Sequence, residues 1–261
     1  MEKIKQLIII GGGTSISEGI EKRLWERIES CFVIGLNYSF RYFKNPTIQC
    51  FVDIDFYKEQ KKNLKYLPLI IGKHHTQMPK LDNTISLNCG TKYYRDLNPT
   101  IYKSSLCGLF ALSLGIYLLD EGEIFLLGAD YGEKRKGKYE EHAKSKEFMR
   151  KNVVYDAKGR ALTHFYQDDF VHKGSGKISY YNMKDRAEKD YGVYKEEKKV
   201  KIFNVSLISK IPSSIFPKIS YDEFFKKLDN NICDQDELRE EIKKKCAIVT
   251  QSPCTKCTKK T

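Results

Sequence analysis

The sequence has 261 residues, a formal net charge of +12 and an apolar fraction of 41%. This length suits one large α/β domain, or at most two small ones, and 17 tyrosines and 14 phenylalanines supply a core that a disordered chain lacks. No apolar run approaches the ~20 residues of a membrane span, and the first predicted strand begins where an export signal would stand. We therefore expect a cytoplasmic protein with no membrane span.

The positive charge favours an acidic partner such as a nucleotide, a nucleic acid or an anionic surface. Much of it lies in lysine-rich runs, at 58–65, 134–138, 195–201 and 243–245. Such solvated runs are equally typical of a basic protein that binds no nucleic acid. A nucleic-acid partner therefore stays an open hypothesis.

The eight cysteines do not indicate a secreted disulfide framework, because half of them lie in or beside apolar elements. The other four lie near the C-terminus: Cys233, Cys246, Cys254 and Cys257. Only the last two have the C-x-x-C spacing of half a zinc site. A zinc ion in this tail is an alternative that the spacing does not favour.

A glycine turn after the first predicted strand is the feature around which we interpret the chain. Residues 7–10 form an apolar run too short for a helix, and it suits a strand buried on both faces. The turn that follows consists of Gly11, Gly12, Gly13, Thr14 and Ser15. Glycines allow close approach to the backbone, and a helix start capped by Ser15 or Ser17 offers N–H groups to an anion. We predict a phosphate-binding turn; a merely tight strand-to-helix turn is the alternative.

The turn fits neither of two common nucleotide motifs. The fingerprint G-x-G-x-x-G would need glycine in place of Ile16, and an acid after the second strand in place of Asn37. A P-loop would need Gly-Lys-Ser/Thr, and no lysine follows the glycines before Lys22. NAD is therefore disfavoured, and ATP bound as in a P-loop is excluded.

Apolar periodicity predicts alternating strands and helices along the rest of the chain. The predicted strands are 31–36, 48–52, 67–71, an edge strand 84–87, 123–127 and 200–204. The predicted helices are 17–29, 56–64, an all-apolar 109–119, 178–194, 221–228 and 236–246. This alternation indicates a Rossmann-like, doubly wound, mostly parallel sheet in one nucleotide-binding domain over 1–228. A C-terminal helix and a basic, cysteine-containing tail follow over 229–261.

Polar residues follow several predicted strands, where a doubly wound sheet binds ligands. Asn37 can donate to and accept from a base or ribose, or merely cap a turn. Asp53 can hold a sugar hydroxyl, and with Asp55 it has the D-x-D spacing that bridges a divalent ion to a diphosphate. Asp55 can instead cap the next helix. Asp130 ends a later strand and is a further candidate.

A second helix start with small residues precedes the all-apolar helix. Ser105, Cys107 and Gly108 lie there, and such a start favours anions. A helix that is apolar all round must be buried, so this one is predicted to be the central helix of the sheet. Its start therefore lies beside the predicted ligand cleft.

Between residues 132 and 176 the periodicity fails and the charge rises. A long irregular stretch inside a compact domain is typical of a functional insertion, so we predict a lid. This segment contains three histidines and two tyrosines of interest: His142, His164, His172, Tyr139 and Tyr166.

The order of these strand ends resembles a known family. The residues that carry the resemblance are 10–15 (Ile-Gly-Gly-Gly-Thr-Ser), 35–37 (Gly-Leu-Asn), 51–53 (Phe-Val-Asp), 105–108 (Ser-Leu-Cys-Gly), 127–130 (Leu-Gly-Ala-Asp) and 202–206 (Ile-Phe-Asn-Val-Ser). Over about residues 4–220, the chain is similar in motif order to bacterial sialyltransferases with a doubly wound sheet and an irregular lid. Related glycosyltransferase-like proteins also occur in phage genomes.

The resemblance implies an inverting, metal-independent glycosyltransferase that uses a CMP-sugar as donor and needs no cofactor. It implies that the glycine turn and Asn37 face the cytidine nucleotide, with Asp53 where the family often has an amide. It further implies that residues 105–108 hold the base or ribose, and that Tyr131 and Tyr139 bind the phosphate.

The resemblance also implies a lid histidine as general base. His172 precedes the last helix–strand pair much as the family's base does, and His164 is the rival. A base is needed because the acceptor hydroxyl loses its proton as it attacks the anomeric carbon, and a neutral imidazole titrates near working pH.

Other functions stay open. A phage-type enzyme could modify nucleic acid or its bases on this fold, with the basic insertion and tail gripping phosphate. The chain could be a non-catalytic nucleotide-binding or interaction protein, because fold does not dictate function. A pterin diphosphokinase-like transfer from ATP would use Asp53, Asp55 or Asp130 with magnesium. A homo-oligomer is compatible with each of these.

Overall fold

The structure, a computed structural model, describes residues 4–74, 81–87, 106–130, 183–228 and 233–251, with short strands at 89–90, 101–102, 135–137, 154–155, 161–162 and 178–180. Seven strands form its central sheet. Their bounds are β1 Gln6–Ile10, β2 Val33–Leu36, β3 Ile48–Phe51, β4 Ile70–Lys73, β5 Thr84–Leu87, β6 Gly122–Leu127 and β7 Val200–Val205. The spatial order is β7-β6-β1-β2-β3-β4-β5, and every neighbouring pair is parallel.

Helices cover both faces of this sheet. Their bounds are α1 Ile16–Glu21, α2 Leu24–Ile28, α3 Ile54–Leu64, α4 Cys107–Leu119, α5 Met183–Tyr191, α6 Tyr221–Lys227 and α7 Gln235–Gln251. Short 3₁₀ turns follow β2 at Asn37–Arg41 and α5 at Gly192–Glu196.

Alternate side chains of β1 belong to two separate apolar clusters. Leu7 and Ile9 pack with α4, α5 and α7, whereas Ile8 and Ile10 pack with α1, α2 and α6. Successive strand residues point to opposite faces, so the two clusters lie on opposite sides of the sheet. This arrangement confirms the predicted Rossmann-like, doubly wound α/β fold, in which strands covered on both faces are apolar runs.

The all-apolar helix α4 is buried as predicted, and it lies close to the sheet at Gly115. An added Cβ there would lie 3.3 Å from Ile124 and 3.4 Å from Leu7. The predicted edge strand is also confirmed, because β5 pairs with β4 at the end of the sheet.

Three elements differ from their predicted bounds. The single helix predicted over 17–29 is divided into α1 and α2, because Arg23 has a left-handed backbone with φ 63°. Strand β4 begins at Ile70 instead of residue 67, since Pro68 has no N–H to donate to the ladder. The helix predicted over 178–194 begins only at Met183 and passes into a 3₁₀ turn.

Helix α7 packs on the same core as the sheet. Leu238, Ile242 and Cys246 belong to the cluster that contains α4. The Lys245 ammonium donates to the Leu118 carbonyl at 2.8 Å, and the Tyr117 hydroxyl donates to the Lys245 carbonyl at 3.1 Å. In the part of the chain that the structure describes, no helix combines the length and apolar character needed to cross a membrane.

Candidate functional site

The topological switch point of the sheet lies between β1 and β6. After β1 the chain leaves to the α1 face, whereas β6 is connected through α4 and α5 on the opposite face. Open α/β sheets bind ligands in the crevice outside the carboxyl ends of the strands at such a point. We define the carboxyl-edge site as residues 11–15, 128–130 and 206–209, together with Asn37 and the start of α4.

A buried carboxylate ties three loops of this site together. The Asp130 side chain accepts from the Ser15 N–H at 2.8 Å, from the Ser15 hydroxyl at 2.5 Å and from the Ser206 hydroxyl at 2.6 Å. Asp130, Ser15 and Ser206 are each less than a tenth exposed. The loops after β1, β6 and β7 are therefore held in one fixed relation.

The β7 loop makes a second set of contacts to the β6 loop. The Ser209 hydroxyl donates to the Ala129 carbonyl at 2.7 Å and accepts from the Asn204 amide at 2.8 Å. The backbone N–H of Lys210 donates to the Asp130 carbonyl at 2.8 Å. These contacts hold the backbone at Asp130 in place, in addition to the hydrogen bonds that hold its side chain.

The glycine turn packs against this β6 loop. The N–H of Gly11 donates to Leu127 O at 2.7 Å, and that of Gly13 donates to Gly128 O at 2.9 Å. Cβ atoms added at Gly11 and Gly13 would lie 2.7 Å and 2.6 Å from Gly128 O. These two glycines therefore allow the β6 loop of the same chain, and not a ligand, to approach the backbone of the turn closely.

Helix α1 does not begin as the sequence predicted. Ser15 is its N-cap residue, but the hydroxyl makes no capping hydrogen bond and binds Asp130 instead. The prediction that Ser15 caps the helix is wrong, because both its hydroxyl and its N–H donate to Asp130. The N–H groups of Gly12 and Thr14, in contrast, make no hydrogen bond to another described residue.

Asn37 and Cys107 meet at the other side of the site. Asn37 has a left-handed backbone with φ 47°, and its carbonyl accepts from Gln49 Nε2 at 2.9 Å. Cys107 Sγ lies 3.5 Å from the Cys50 carbonyl. Burial raises the pKa of the Cys107 thiol to about 12, and this effect outweighs the hydrogen bond from the Asn37 N–H, which lowers the pKa. The Cys107 thiol therefore stays protonated at neutral pH, and its side chain packs against the apolar core.

The start of α4 is covered by the end of α5. A Cβ at Gly108 would lie 3.1 Å from the Tyr191 hydroxyl, and the Tyr194 hydroxyl donates to the Leu109 carbonyl at 3.2 Å. Burial, and less strongly the charge of Asp190, raise the pKa of Tyr191. The Tyr191 phenol therefore stays neutral beside the helix start.

Asp53 lies at the end of β3, exposed to solvent. It is the N-cap of α3, and its carboxylate accepts from the Asp55 N–H at 2.9 Å. The cap of this helix is thus Asp53 and not Asp55, so α3 begins two residues earlier than predicted. Among the described residues, no three His, Cys, Asp or Glu side chains come together to hold a metal ion.

Cys233 and Cys246 do not form the tail zinc site that the sequence left as a less favoured alternative. Cys233 precedes α7, whereas Cys246 lies three turns into it and packs in the core. At 1.5 Å per residue, the helix separates them by roughly 16 Å, too far for one zinc ion.

The remaining candidates lie outside the described residues: Ser105, Tyr131, Tyr139, His164, His172, Cys254 and Cys257. Of the others, the structure brings Gly11, Gly13, Thr14 and Ser15 together with Asp130, and Asn37 together with Cys107. Three residues that contact the site had no role predicted from the sequence: Ser206, quoted only as the end of the 202–206 motif, Ser209 and Gln49. Ser206 follows the last strand directly, so the strand-end rule applied to β7 would have found it.

The fold and the site define an α/β protein with a doubly wound parallel sheet and a rigid polar cluster at its switch point. Comparisons with protein-family models, with curated proteins and with solved structures find no match.

Proposed function

We propose that the protein is a glycosyltransferase that binds a nucleotide-sugar donor, with a CMP-sugar favoured, at the carboxyl-edge site. The observation that carries this proposal is the Asp130 network, which fixes three loops at the switch point through the Ser15 and Ser206 contacts. Loops that are already fixed lose less conformational entropy when a ligand binds than mobile loops do. Such preorganisation suits recognition of a polar, charged ligand.

The groups at the carboxyl-edge site suit a nucleoside phosphate. The N–H groups of Gly12 and Thr14 and the N-terminal dipole of the 13-residue helix α4 favour a negatively charged group. Asn37 offers both a donor and an acceptor for a base or ribose. The net charge of +12 adds a long-range attraction for the anionic donor. The choice of cytidine rests on the resemblance in motif order.

The reaction needs a base and a stabilised leaving group. The acceptor oxygen forms a bond to the anomeric carbon as the bond from that carbon to the phosphate oxygen breaks, and CMP leaves with the electron pair. His172, with His164 as the rival, takes the acceptor proton. Tyr131 and Tyr139 donate hydroxyl hydrogen bonds to the leaving phosphate, so that no metal ion is required.

Thermal unfolding with added nucleotides tests the donor site. We expect CMP without magnesium to raise Tm by roughly 5–10 °C at 100 times its dissociation constant, and ATP, NAD and UDP to have no comparable effect. Hydrolysis or transfer of a CMP-sugar should then be lost in His172→Ala while the CMP shift persists. His142→Ala, in the same segment, is the matched control. No shift with any nucleotide would contradict the proposal.

The charge also favours a second function, modification of nucleic acid or its bases on the same fold. That function predicts binding of single or double strands with a steep decrease as salt rises, corresponding to several phosphate contacts. A flat dependence of the dissociation constant on salt would exclude it.

A further inference from the structure

Two thiols lie side by side at the amino edge of the sheet, away from the carboxyl-edge site. Cys31 precedes β2, and Cys233 precedes α7. The Cys233 N–H donates to the Ser30 carbonyl at 3.1 Å, and the Phe32 N–H donates to the Cys233 sulfur. Cys233 is therefore bound to both backbone neighbours of Cys31, and it lies alongside Cys31 itself.

Both cysteines line one small cavity of about 20 Å³. Neither is in a disulfide, and the Cys31 sulfur lies 4.0 Å from the Arg27 carbonyl. A disulfide needs two cysteines that are close in space, and the contacts to Ser30 and Phe32 place Cys233 next to Cys31. The cavity provides room for the side-chain rotation that brings the two sulfur atoms together.

We propose that Cys31 and Cys233 form a site of intramolecular disulfide formation that covalently joins the start of α7 to the start of β2. A hydrogen bond already joins the start of α7 to this part of the chain, since the Gln235 amide donates to the Cys31 carbonyl at 3.1 Å. The linkage is independent of the proposed glycosyltransferase function.

A low-molecular-weight disulfide such as oxidised glutathione is the oxidant. The Cys233 thiolate attacks one glutathione sulfur, the glutathione disulfide bond breaks, and one glutathione thiolate leaves. The Cys31 thiolate then attacks the Cys233 sulfur and displaces the second glutathione. Two protein thiols lose two protons and two electrons, and one glutathione disulfide becomes two thiols.

Burial makes this reaction slow at neutral pH. It raises the pKa of Cys31 to about 11, with the nearby Cys233 as a second cause, and it raises the pKa of Cys233 as well. Only the thiolate attacks, so the rate should rise steeply with pH, by up to about tenfold per pH unit while the pH is below the pKa of the attacking thiol. The pair would therefore stay reduced under mild conditions and form a disulfide under sustained oxidation.

The test is peptide mapping of the full chain after incubation with oxidised glutathione. Trypsin without reductant should give residues 28–41 linked to residues 228–239, and reductant should separate the two peptides. The linkage closes a loop of about 200 residues, so we expect Tm to rise on the order of 10 °C. Cys31→Ser and Cys233→Ser should each lose the linked peptide and this rise.

The double variant Cys254→Ser, Cys257→Ser is the matched control, and it should keep the 28–41 to 228–239 linkage. The proposal is overturned if the wild-type chain gives no linked peptide after prolonged incubation at pH about 9, where thiolate attack is much faster than at neutral pH. It is equally overturned if Cys31 or Cys233 is found joined to another cysteine instead.

Discussion

Each of the two edges of the sheet contains a buried polar residue that joins separate parts of the chain. The residue at the carboxyl edge joins loops to one another, whereas the residue at the amino edge joins a helix to the sheet. At the carboxyl edge, the Asp130 carboxylate accepts four hydrogen bonds from two loops, including one from the Thr14 hydroxyl at 3.5 Å, and holds its own loop against them. At the amino edge, the Thr47 hydroxyl accepts from the Val33 N–H at 3.0 Å and donates to the Gln235 side chain at 2.7 Å. One network fixes loops relative to one another, and the other fastens a helix to the sheet.

The difference lies in charge. Asp130 brings a carboxylate into a buried position, where hydrogen bonds to it are strong and where its loss leaves several donors unpaired. Thr47 uses a neutral hydroxyl, fully buried, that satisfies one donor and one acceptor. We therefore expect the carboxyl edge to depend on a single residue more strongly than the amino edge.

Substitution of Asp130 should have the largest effect. Asp130→Ala leaves the Ser15 N–H and two buried hydroxyls without an acceptor, so we expect the free energy of unfolding to fall by about 3–5 kcal/mol. Urea denaturation followed by circular dichroism measures it. Ser206→Ala removes one of the contacts and should cost less than half as much. A loss below about 1 kcal/mol for Asp130→Ala would contradict the central role of this carboxylate.

A methyl group in the glycine turn should have the next largest effect. In Gly13→Ala the new Cβ would lie 2.6 Å from Gly128 O and would also meet the Asp130 carboxylate, so one loop must shift. We expect a loss of about 2–3 kcal/mol. Gly192→Ala is the matched control, because nothing lies within 4 Å of its added Cβ. Equal unfolding midpoints for the two variants would show that the loops are not tightly joined.

The smallest effect is expected at the amino edge. Thr47→Val keeps the side-chain shape but leaves the Val33 N–H unpaired and releases Gln235, so we expect a loss of about 1–2 kcal/mol. A double-mutant cycle with Gln235→Ala isolates the contact between Thr47 and the helix. If the two losses were fully additive, the hydrogen bond at 2.7 Å would contribute nothing to the attachment of α7.

Most of the fold was predictable from the sequence, because strands buried on both faces are apolar runs and the helices have their own period. Residues 7–10 and the all-apolar helix α4 are the clearest examples. The break at Arg23 was not predictable, since the helical spacing of apolar residues continues across it. The late start of β4 has a visible signal in Pro68, which the pattern of apolar residues outweighed.

The site was predictable in position but not in its internal contacts. Strand ends place Ser15, Asn37 and Asp130 at the correct edge of the sheet. That Asp130 occupies the Ser15 N–H depends on the pairing of β1 with β6, a contact between distant parts of the chain. No local pattern distinguishes a glycine turn packed against its own chain from one that is open to a phosphate.

The position of β6 beside β1 has a consequence for folding during synthesis on the ribosome. Gln6 lies opposite Glu123 in this pair, 117 residues away along the chain. At 5–20 residues per second, synthesis of that interval takes roughly 6–24 seconds. During this interval the edge of β1 that later pairs with β6 has no partner. An unpaired edge of an apolar strand is a template for pairing with other chains. The emerging polypeptide is therefore most exposed to misassembly on the ribosome, before the strand that completes its centre has been made.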